Sequence, residues 1–259
     1  MLAGGLPNGP THQRLGITIC ESSPNTLYAL YSTSDGFTDP QLYKTVNGGT
    51  NWSLINFNSF DDGSYGSFGW YFGKIYVDPN NPNTLYIPGV DLQYSIDGGV
   101  NWNLRTPPWW QYDVHADGHH MYFTTSNDII YSTDGGLYRT YDGGNNWIDI
   151  ENIPNNQFYA VTENSNNLGE YAGGVQDNGT MYGNASVINN FTRLYGGDGF
   201  TVHFDVLPSL VYSETQNGNI VFDDMFPTGN WQGIDIDGSQ SYNWHTPYFI
   251  SKHNSSTLF

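Results

Sequence analysis

The chain has a single cysteine, Cys20, among 259 residues, so no disulfide can form within it. Basic residues are also few: 7 Lys and Arg stand against 25 Asp and Glu, which gives a net charge of -18. Because this charge repels polyanions, we expect no binding to nucleic acid or to anionic membranes. The sequence has no apolar run of the roughly 18 residues that a membrane-spanning helix needs, and no long apolar segment with helical periodicity. Short strands are therefore the expected elements.

The chain does contain one phrase that occurs three times, with its tryptophans 50 and then 45 residues apart, at Trp52, Trp102 and Trp147. Each copy begins with Ser or Thr, has Asp or Asn two residues later and Gly two residues after that, and ends on Trp. Repetition at this period is typical of propellers and solenoids. We call the three copies the turn repeats, and their defining residues are Thr45, Asn47, Gly49, Trp52, Ser95, Asp97, Gly99, Trp102, Thr140, Asp142, Gly144 and Trp147.

The residue types in the turn repeats suit a tight hairpin. The Asp or Asn side chain can bond the backbone two residues on, and the hydroxyl of the first residue can bond across the turn. The glycines supply the positive φ angles that such turns need, and the Trp is large enough to lock the hairpin onto its neighbours. We therefore predict that these residues hold the fold and do not bind a ligand.

The spacing predicts the fold class as well. Four short strands in about 45 residues make one propeller blade. The predicted blades lie near 15–56, 70–105, 112–150, 157–196 and 200–232, with the start of another at 246–259. We predict one all-β domain over residues 1–259, a β-propeller of four-stranded antiparallel blades. About five and a half blades are predicted, and because a chain that stops within a blade leaves open sheet edges, we expect an incomplete part of a longer propeller; the alternative is a small closed ring in which the first residues complete the last blade.

The turn repeats resemble the Asp-box of the bacterial neuraminidase repeat (BNR) propellers. Further phrases are similar to sortilin-like and xyloglucanase-like propellers of secreted bacteria: Gly4–Pro7, Asp113–Ala116, Ser132–Arg139, Gly174–Gly179 and Gly196–Gly199. The resemblance implies a secreted or cell-surface protein that binds a polysaccharide or a protein. It also implies an alternative, an inverting glycoside hydrolase acting on β-glucan, of which this chain is a partial propeller. The rest of the propeller, or a second propeller, would then be a partner, and no catalytic residue is assigned because neither catalytic motif of those enzymes occurs here.

The first candidate site precedes the main strands of the third predicted blade. Asp113, His115 and Asp117 would share one face of a strand, because alternate residues of a strand point the same way. Carboxylates and an imidazole at this spacing could bind a divalent cation. The alternative is a hydrogen-bonded network that plugs the channel. We assign no firm metal, and Ca²⁺ is the cofactor that we would expect if one binds.

The second candidate site is a turn formed by Gln176, Asp177 and Asn178, whose amides and carboxylate could bind hydroxyl groups or Ca²⁺. The third is Asp198, which lies within a glycine-rich turn that lets a backbone approach closely. Each has a plainer alternative, a turn that satisfies its own backbone. If inner-strand ends meet at one mouth of a propeller channel, these residues should converge there with the first candidate site.

A pair of aromatic residues, Trp109 and Trp110, follows two prolines at the entry to the third predicted blade. Exposed aromatic pairs can stack on sugar rings, and Trp70 and Tyr71 occupy the corresponding loop before the second blade. The alternative is packing between neighbouring blades. We include Trp109 and Trp110 among the candidate ligand-binding residues.

Overall fold

The structure is a computed structural model that describes residues 4–7, 12–33, 40–56, 58, 60, 65, 68–108, 111, 113–150, 153, 156–187, 190–207, 209–234, 242–251, 254 and 257–259. The chain forms two compact units, Met1–Ile153 and Pro154–Phe259, called the N-terminal and C-terminal units below. Trp109 and Trp110, the predicted aromatic pair, lie outside the described residues.

Five four-stranded antiparallel sheets make up most of the described chain, and in each sheet the strands follow one another in chain order. In the N-terminal unit, sheet 1 contains His12–Cys20 (β1), Ser23–Thr33 (β2), Gln41–Thr45 (β3) and Ser53–Ile55 (β4); sheet 2 contains Tyr76–Asp78 (β5), Asn81–Ile87 (β6), Gln93–Ser95 (β7) and Asn103–Leu104 (β8); sheet 3 contains Gly118–Phe123 (β9), Ile129–Thr133 (β10), Gly136–Thr140 (β11) and Ile148–Asp149 (β12). In the C-terminal unit, sheet 4 contains Phe158–Glu163 (β13), Glu170–Val175 (β14), Gly179–Asn184 (β15) and Phe191–Tyr195 (β16); sheet 5 contains Val202–Phe204 (β17), Val211–Thr215 (β18), Asn219–Asp223 (β19) and Gln232–Gly233 (β20). The prediction of an all-β chain of four-stranded antiparallel sheets is confirmed, and this strand order is that of β-propeller blades.

Helical segments are short. Gly69–Phe72 forms α1 in the loop before sheet 2, and Gln216–Gly218 forms a 3-10 turn between β18 and β19. Trp70 and Tyr71, expected in a loop, therefore lie on α1, which ends at Gly73 with a φ of 39°. Among the residues that the structure describes, no helix is long and apolar enough to cross a membrane.

Sheet 3 begins later than the sequence predicted. Residues 113–117 are not a strand, and β9 starts at Gly118. Asp117 has a φ of 61°, which breaks the extended backbone immediately before β9. Gly118 is required there because a Cβ atom at this position would lie 1.7 Å from the Tyr131 hydroxyl oxygen. The prediction that Asp113, His115 and Asp117 share one face of a strand is therefore wrong.

The sheets of the N-terminal unit pack through apolar faces. Leu85 belongs to the core between sheets 1 and 2, whereas the next residue, Tyr86, belongs to the core that sheet 2 forms with sheet 3. Because successive side chains of a strand point to opposite faces, the central sheet is apolar on both sides. Within Thr84-Leu85-Tyr86, Leu85 therefore packs against sheet 1 and Tyr86 packs against sheet 3.

The three turn repeats lie between the third and fourth strands of sheets 1, 2 and 3, and the second one is representative. The Ser95 hydroxyl donates to Asp97 (2.9 Å) and accepts the Gly99 N–H (3.0 Å). The Asp97 carboxylate accepts the Asn101 N–H (2.9 Å), and the Trp102 indole N–H donates to the Gly99 carbonyl oxygen (2.9 Å). The Asp97 side chain thus bonds the backbone three and four residues on and not two, because the Ser95 hydroxyl accepts the Gly99 N–H.

The β1 edge of the outer face of sheet 1 is apolar and exposed, whereas Ala29 and Tyr43 on the same face are buried. Ile17 and Ile19 on β1 are 60% and 51% exposed, and Leu15 beside them is similar. The corresponding residues at the first strand of sheet 2, Ile75 and Val77, are 4% and 6% exposed because sheet 1 packs over them. Position in the stack of sheets, and not residue type, accounts for the difference.

Candidate functional site

Asp113, His115 and Asp117, the predicted cation ligands, lie in the loop that leads to β9. Asp113 is exposed, and the His115 Nδ1 atom lies 3.0 Å from the Ala116 carbonyl oxygen. Asp117 is partly buried, and burial together with the nearby Asp134 carboxylate raises its pKa. Asp134 in turn is hydrogen-bonded to His119. No group of three or more potential ligand residues in the described part of the chain is arranged to hold a metal ion.

The glycine-rich phrases of the C-terminal unit bring two segments of backbone into contact. A Cβ atom on Gly199 would lie 2.2 Å from the Gly179 carbonyl oxygen, and one on Gly174 would lie 2.1 Å from the Phe200 carbonyl oxygen. Only glycine allows such an approach. The close contact places the turn after β14, which carries Asp177, against the loop that carries Asp198.

Asp177 and Asp198 are therefore neighbours. The Asp177 N–H donates to the Asp198 Oδ1 atom at 2.8 Å, and the Gln216 side-chain amide donates to the Oδ2 atom at 2.7 Å. Asp177 has a φ of 60°, the left-handed conformation, at the point where the chain turns from β14 to β15. Asp198 is buried, so its carboxylate is an anchor between three loops and not a free group.

The side chains of Gln176 and Asn178 form hydrogen bonds near the turn. The Gln157 amide donates to the Gln176 Oε1 atom at 2.7 Å, and the Asn178 amide donates to the Gln176 carbonyl oxygen at 3.1 Å. These two side chains help to satisfy the turn itself. Whether Gln176, Asp177 and Asp198 converge with Asp113 and His115, which belong to the other unit, stays a prediction.

An aromatic stack stands beside the two aspartates. Phe200 is buried, with the Tyr159 ring stacked on it at 4.8 Å and the His245 ring at 5.1 Å, nearly parallel. Trp244 meets Phe200 edge-on at 6.0 Å. Tyr159 and Trp244 remain 45% and 53% exposed, so two rings of this cluster face solvent.

The Tyr159 hydroxyl links the stack to the carboxylates. Burial, and next the negative charge of Asp198, raise the pKa of Tyr159, with a smaller contribution from Asp177. A hydrogen bond with the Trp244 side chain acts in the opposite direction. We call Tyr159, Asp177, Asp198, Gln216 and Trp244 the aromatic–acid face. Sequence reasoning found its two aspartates but missed both aromatic residues, although Trp244 and His245 stand between two predicted blades, where no strand accounts for them.

A buried glutamate fixes the segment that carries Trp244. Glu214 on β18 is completely buried, and its carboxylate accepts the Thr246 N–H and, at 3.4 Å, the Thr201 N–H. The His245 Nε2 atom lies 3.5 Å from the same carboxylate and 3.1 Å from the Thr201 hydroxyl. Burial raises the pKa of Glu214, and these donors and the imidazole lower it in part.

Two cavities of about 660 and 610 Å³ also lie in the C-terminal unit, beside sheet 5 and the segment that follows it. Their walls are mainly apolar, with Tyr212, Phe222 and Leu258 in the first and Phe204 and Phe249 in the second. Neither is lined by a residue of the aromatic–acid face. We therefore identify the candidate site by its convergent polar groups and exposed aromatic rings, and not by cavity volume.

Three arginines are engaged within the N-terminal unit. Arg139 pairs with both oxygens of Asp128 at 2.9 Å, Arg105 donates to the Gly143 carbonyl oxygen, and Arg14 donates to the Tyr71 carbonyl oxygen. Each of them has a local structural partner.

No protein-family model matches the chain, and no curated protein matches it. Among solved structures, it is similar to a GH74 enzyme from Niastella koreensis (17% identity, 86% of this chain and 38% of that one, TM-score 0.46). It is also similar to a GH74 xyloglucanase from Xanthomonas campestris (14% identity, 94% and 43%, TM-score 0.44) and to YCF48 bound to D1 peptide (13% identity, 96% and 93%, TM-score 0.38). The chain thus spans about two fifths of the two GH74 structures. At these scores the likenesses support no inference about its ligand.

Proposed function

We propose that this chain is a β-propeller protein, secreted or at the cell surface, that binds carbohydrate through the aromatic–acid face. The observation that carries the proposal is the pair of exposed rings, Tyr159 and Trp244, beside a carboxylate and amide network. Binding sites for small molecules commonly combine aromatic walls with a few fixed polar groups. Sugars match both parts, because they present apolar C–H faces and hydroxyl groups together.

The charge of the chain favours a neutral ligand. With a net charge of -18 and two aspartates at the face, the protein repels anionic ligands such as acidic polysaccharides. A sugar hydroxyl, by contrast, can donate to a carboxylate in a strong hydrogen bond, and Asp177, which is only partly buried, is the carboxylate of the face within its reach. We therefore place neutral polysaccharides, including β-glucans, ahead of charged ones.

Binding is favoured over hydrolysis at this face. An inverting glycosidase needs two carboxyl groups about 6.5–9.5 Å apart, one of which protonates the leaving group while the other activates water. Asp198 is buried, and each of its oxygens already accepts a hydrogen bond, from Asp177 and from Gln216. Such a carboxylate holds the loops in place and is poorly available for proton transfer.

The test is a glycan array with the 259-residue chain, followed by calorimetry on any neutral glycan that binds. We expect Tyr159→Ala and Trp244→Ala each to weaken binding about tenfold, which corresponds to about 1.4 kcal/mol for one lost stacking ring. Phe191→Ala is the matched control, because Phe191 has the same exposure as Tyr159 (44% against 45%) and lies in the same unit outside the face.

Three results would contradict the proposal. A silent array would remove carbohydrate as the ligand class, and unchanged affinity in both folded variants would move the site elsewhere. Release of reducing sugar from β-glucans, abolished by Asp177→Asn or Asp198→Asn, would establish the hydrolase alternative.

A further inference from the structure

We propose that Glu214 is a positioning residue for the aromatic–acid face: its buried carboxylate holds the segment Tyr242–Tyr248 so that Trp244 stands beside Tyr159. We call this segment the strap. The inference rests on the proposed function only for its binding measurement. The placement of Trp244 itself can be tested without any ligand.

Glu214 contacts the strap at the two residues that follow Trp244. The Thr246 N–H donates to one carboxylate oxygen, and the His245 ring nitrogen lies 3.5 Å from the other. Hydrogen bonds to a charged acceptor are about twice as strong as neutral ones, and burial excludes water as a competitor. One side chain of β18 therefore fixes two consecutive strap residues.

A second contact holds the backbone of Trp244 itself. The Asn217 N–H, in the 3-10 turn after β18, donates to the Trp244 carbonyl oxygen at 3.1 Å. The His245 ring lies flat on Phe200, so the strap cannot rotate about this point without breaking the stack. Trp244 itself is half exposed and packs edge-on, which is a weak contact. Its side chain also forms a hydrogen bond with Tyr159, and the backbone contacts on either side of Trp244 bring the ring within reach of that partner.

The far end of the strap is held by contacts that do not include the Glu214 carboxylate, although one of them is made to Thr201, whose N–H also donates to Glu214. The Tyr248 hydroxyl donates to the Thr201 carbonyl oxygen at 3.2 Å, and its own carbonyl oxygen lies 3.0 Å from the His203 Nε2 atom. Tyr248 is also buried against Tyr212 and Ile220 of sheet 5. Loss of the Glu214 contacts should thus release Trp244 and His245 while the strap stays attached.

The decisive variant is Glu214→Gln, which keeps the shape and one carbonyl oxygen but removes the charge and turns an N–H₂ group towards the strap donors. Glu170→Gln is the matched control, because Glu170 lies in the same unit and its carboxylate also accepts two N–H bonds, in this case from the side-chain amides of Asn164 and Asn167. The Trp244 signal is isolated by subtracting the fluorescence of the matching Trp244→Phe protein. In Glu214→Gln we expect this signal to shift to the red and acrylamide quenching to rise, up to about twofold as exposure goes from 53% towards complete.

The binding measurement is a double-mutant cycle. If the strap is in place in only a tenth of the molecules, the apparent affinity for a bound glycan falls about tenfold. We therefore expect Glu214→Gln to weaken binding about tenfold in the wild-type background and by less than about twofold in Trp244→Ala. Equal losses in both backgrounds would show that Glu214 does not act through Trp244.

The unliganded measurement separates this inference from the proposed function. An unchanged Trp244 signal in folded Glu214→Gln overturns the positioning role whether or not a glycan binds. A changed signal with a silent array supports the positioning role and removes only the carbohydrate ligand.

A second pair of variants covers the case in which Glu214→Gln does not fold. His245→Ala and His245→Gln both lose the stack on Phe200, but only Gln keeps a donor that can reach Glu214. We expect greater quenching of Trp244 in His245→Ala than in His245→Gln. Equal quenching in the two would contradict the inference.

Discussion

The cost of removing Trp102 measures how the turn repeats hold the fold. Trp102 is buried between sheets 1 and 2, where its ring meets Phe60 edge-on at 5.6 Å and its indole N–H bonds Gly99. An indole buries about 150–250 Å², which corresponds to about 4–6 kcal/mol at about 25 cal/mol per Å². Because measured Trp→Ala changes in cores cost about 3–5 kcal/mol, we expect Trp102→Ala to lower the free energy of unfolding by that amount.

Trp147 provides the internal comparison. It occupies the same place in the third turn repeat, but it is only partly buried and its indole N–H bonds Arg105 at 3.2 Å. Because part of its ring stays exposed, Trp147→Ala should cost less than Trp102→Ala, about 2–3 kcal/mol. Trp70→Ala, at a half-exposed residue of α1, should cost less than about 1 kcal/mol.

Urea unfolding followed by far-ultraviolet circular dichroism gives the three values, provided that the slope of each transition is unchanged. The order Trp102, Trp147, Trp70 is the prediction. If Trp147→Ala costs as much as Trp102→Ala, the turn repeats are not held by burial of their tryptophans. If all three cost the same, the loss of stability has another origin.

Two further predictions concern acid stability and backbone contact. Hydrogen bonds from Asn101 lower the pKa of Asp97 to about 2, and those from Asn146 do the same for Asp142, against 3.8 for a free carboxyl. A carboxyl whose pKa is lowered in the folded state adds stability above about pH 4, and this stability is lost as the pH falls towards 2. The double variant Asp97→Asn, Asp142→Asn should therefore show a shallower dependence of its unfolding free energy on pH between these values. Acid titration followed by circular dichroism measures this slope, and an unchanged slope would refute the assignment. Gly199→Ala should lower the free energy of unfolding by about 1–3 kcal/mol or more, because its Cβ would lie 2.2 Å from the Gly179 oxygen, whereas Gly233→Ala, with open space around it, should change it by less than about 0.5 kcal/mol. Similar melting temperatures for the two alanine variants would contradict the close contact.

The sheets could be predicted because their turns are encoded locally. In the third turn repeat, three of the four defining residues bond one another within one hairpin: the Thr140 hydroxyl donates to Asp142 and accepts the Gly144 N–H. Such a pattern is legible without knowledge of the rest of the chain. The start of sheet 3 was harder to predict. Asp117 has a left-handed backbone next to Gly118, and Gly118 is in close contact with Tyr131, a residue that is distant in the sequence.

The aromatic–acid face was only half predictable. Asp177 and Asp198 lie in glycine-rich turns, and such turns can be recognised from the sequence by their residue types. Tyr159, Phe200 and His245 come from three separate elements and meet only when sheets 4 and 5 pack. No local spacing relates them, so their convergence had to be seen in the structure.

The exposed edge of sheet 1 at β1 has a consequence for handling the protein. Its aliphatic row, Leu15, Ile17 and Ile19, would adhere to any similar surface, including that of another molecule. The net charge of -18 opposes such encounters by mutual repulsion, which acts over a Debye length of about 10 Å at 0.1 M salt. At 1 M salt this range shrinks to about 3 Å, while sulfate salts strengthen apolar adhesion. Salting-out steps should therefore drive the molecules into clusters, and dilute, weakly alkaline buffers should keep them dispersed.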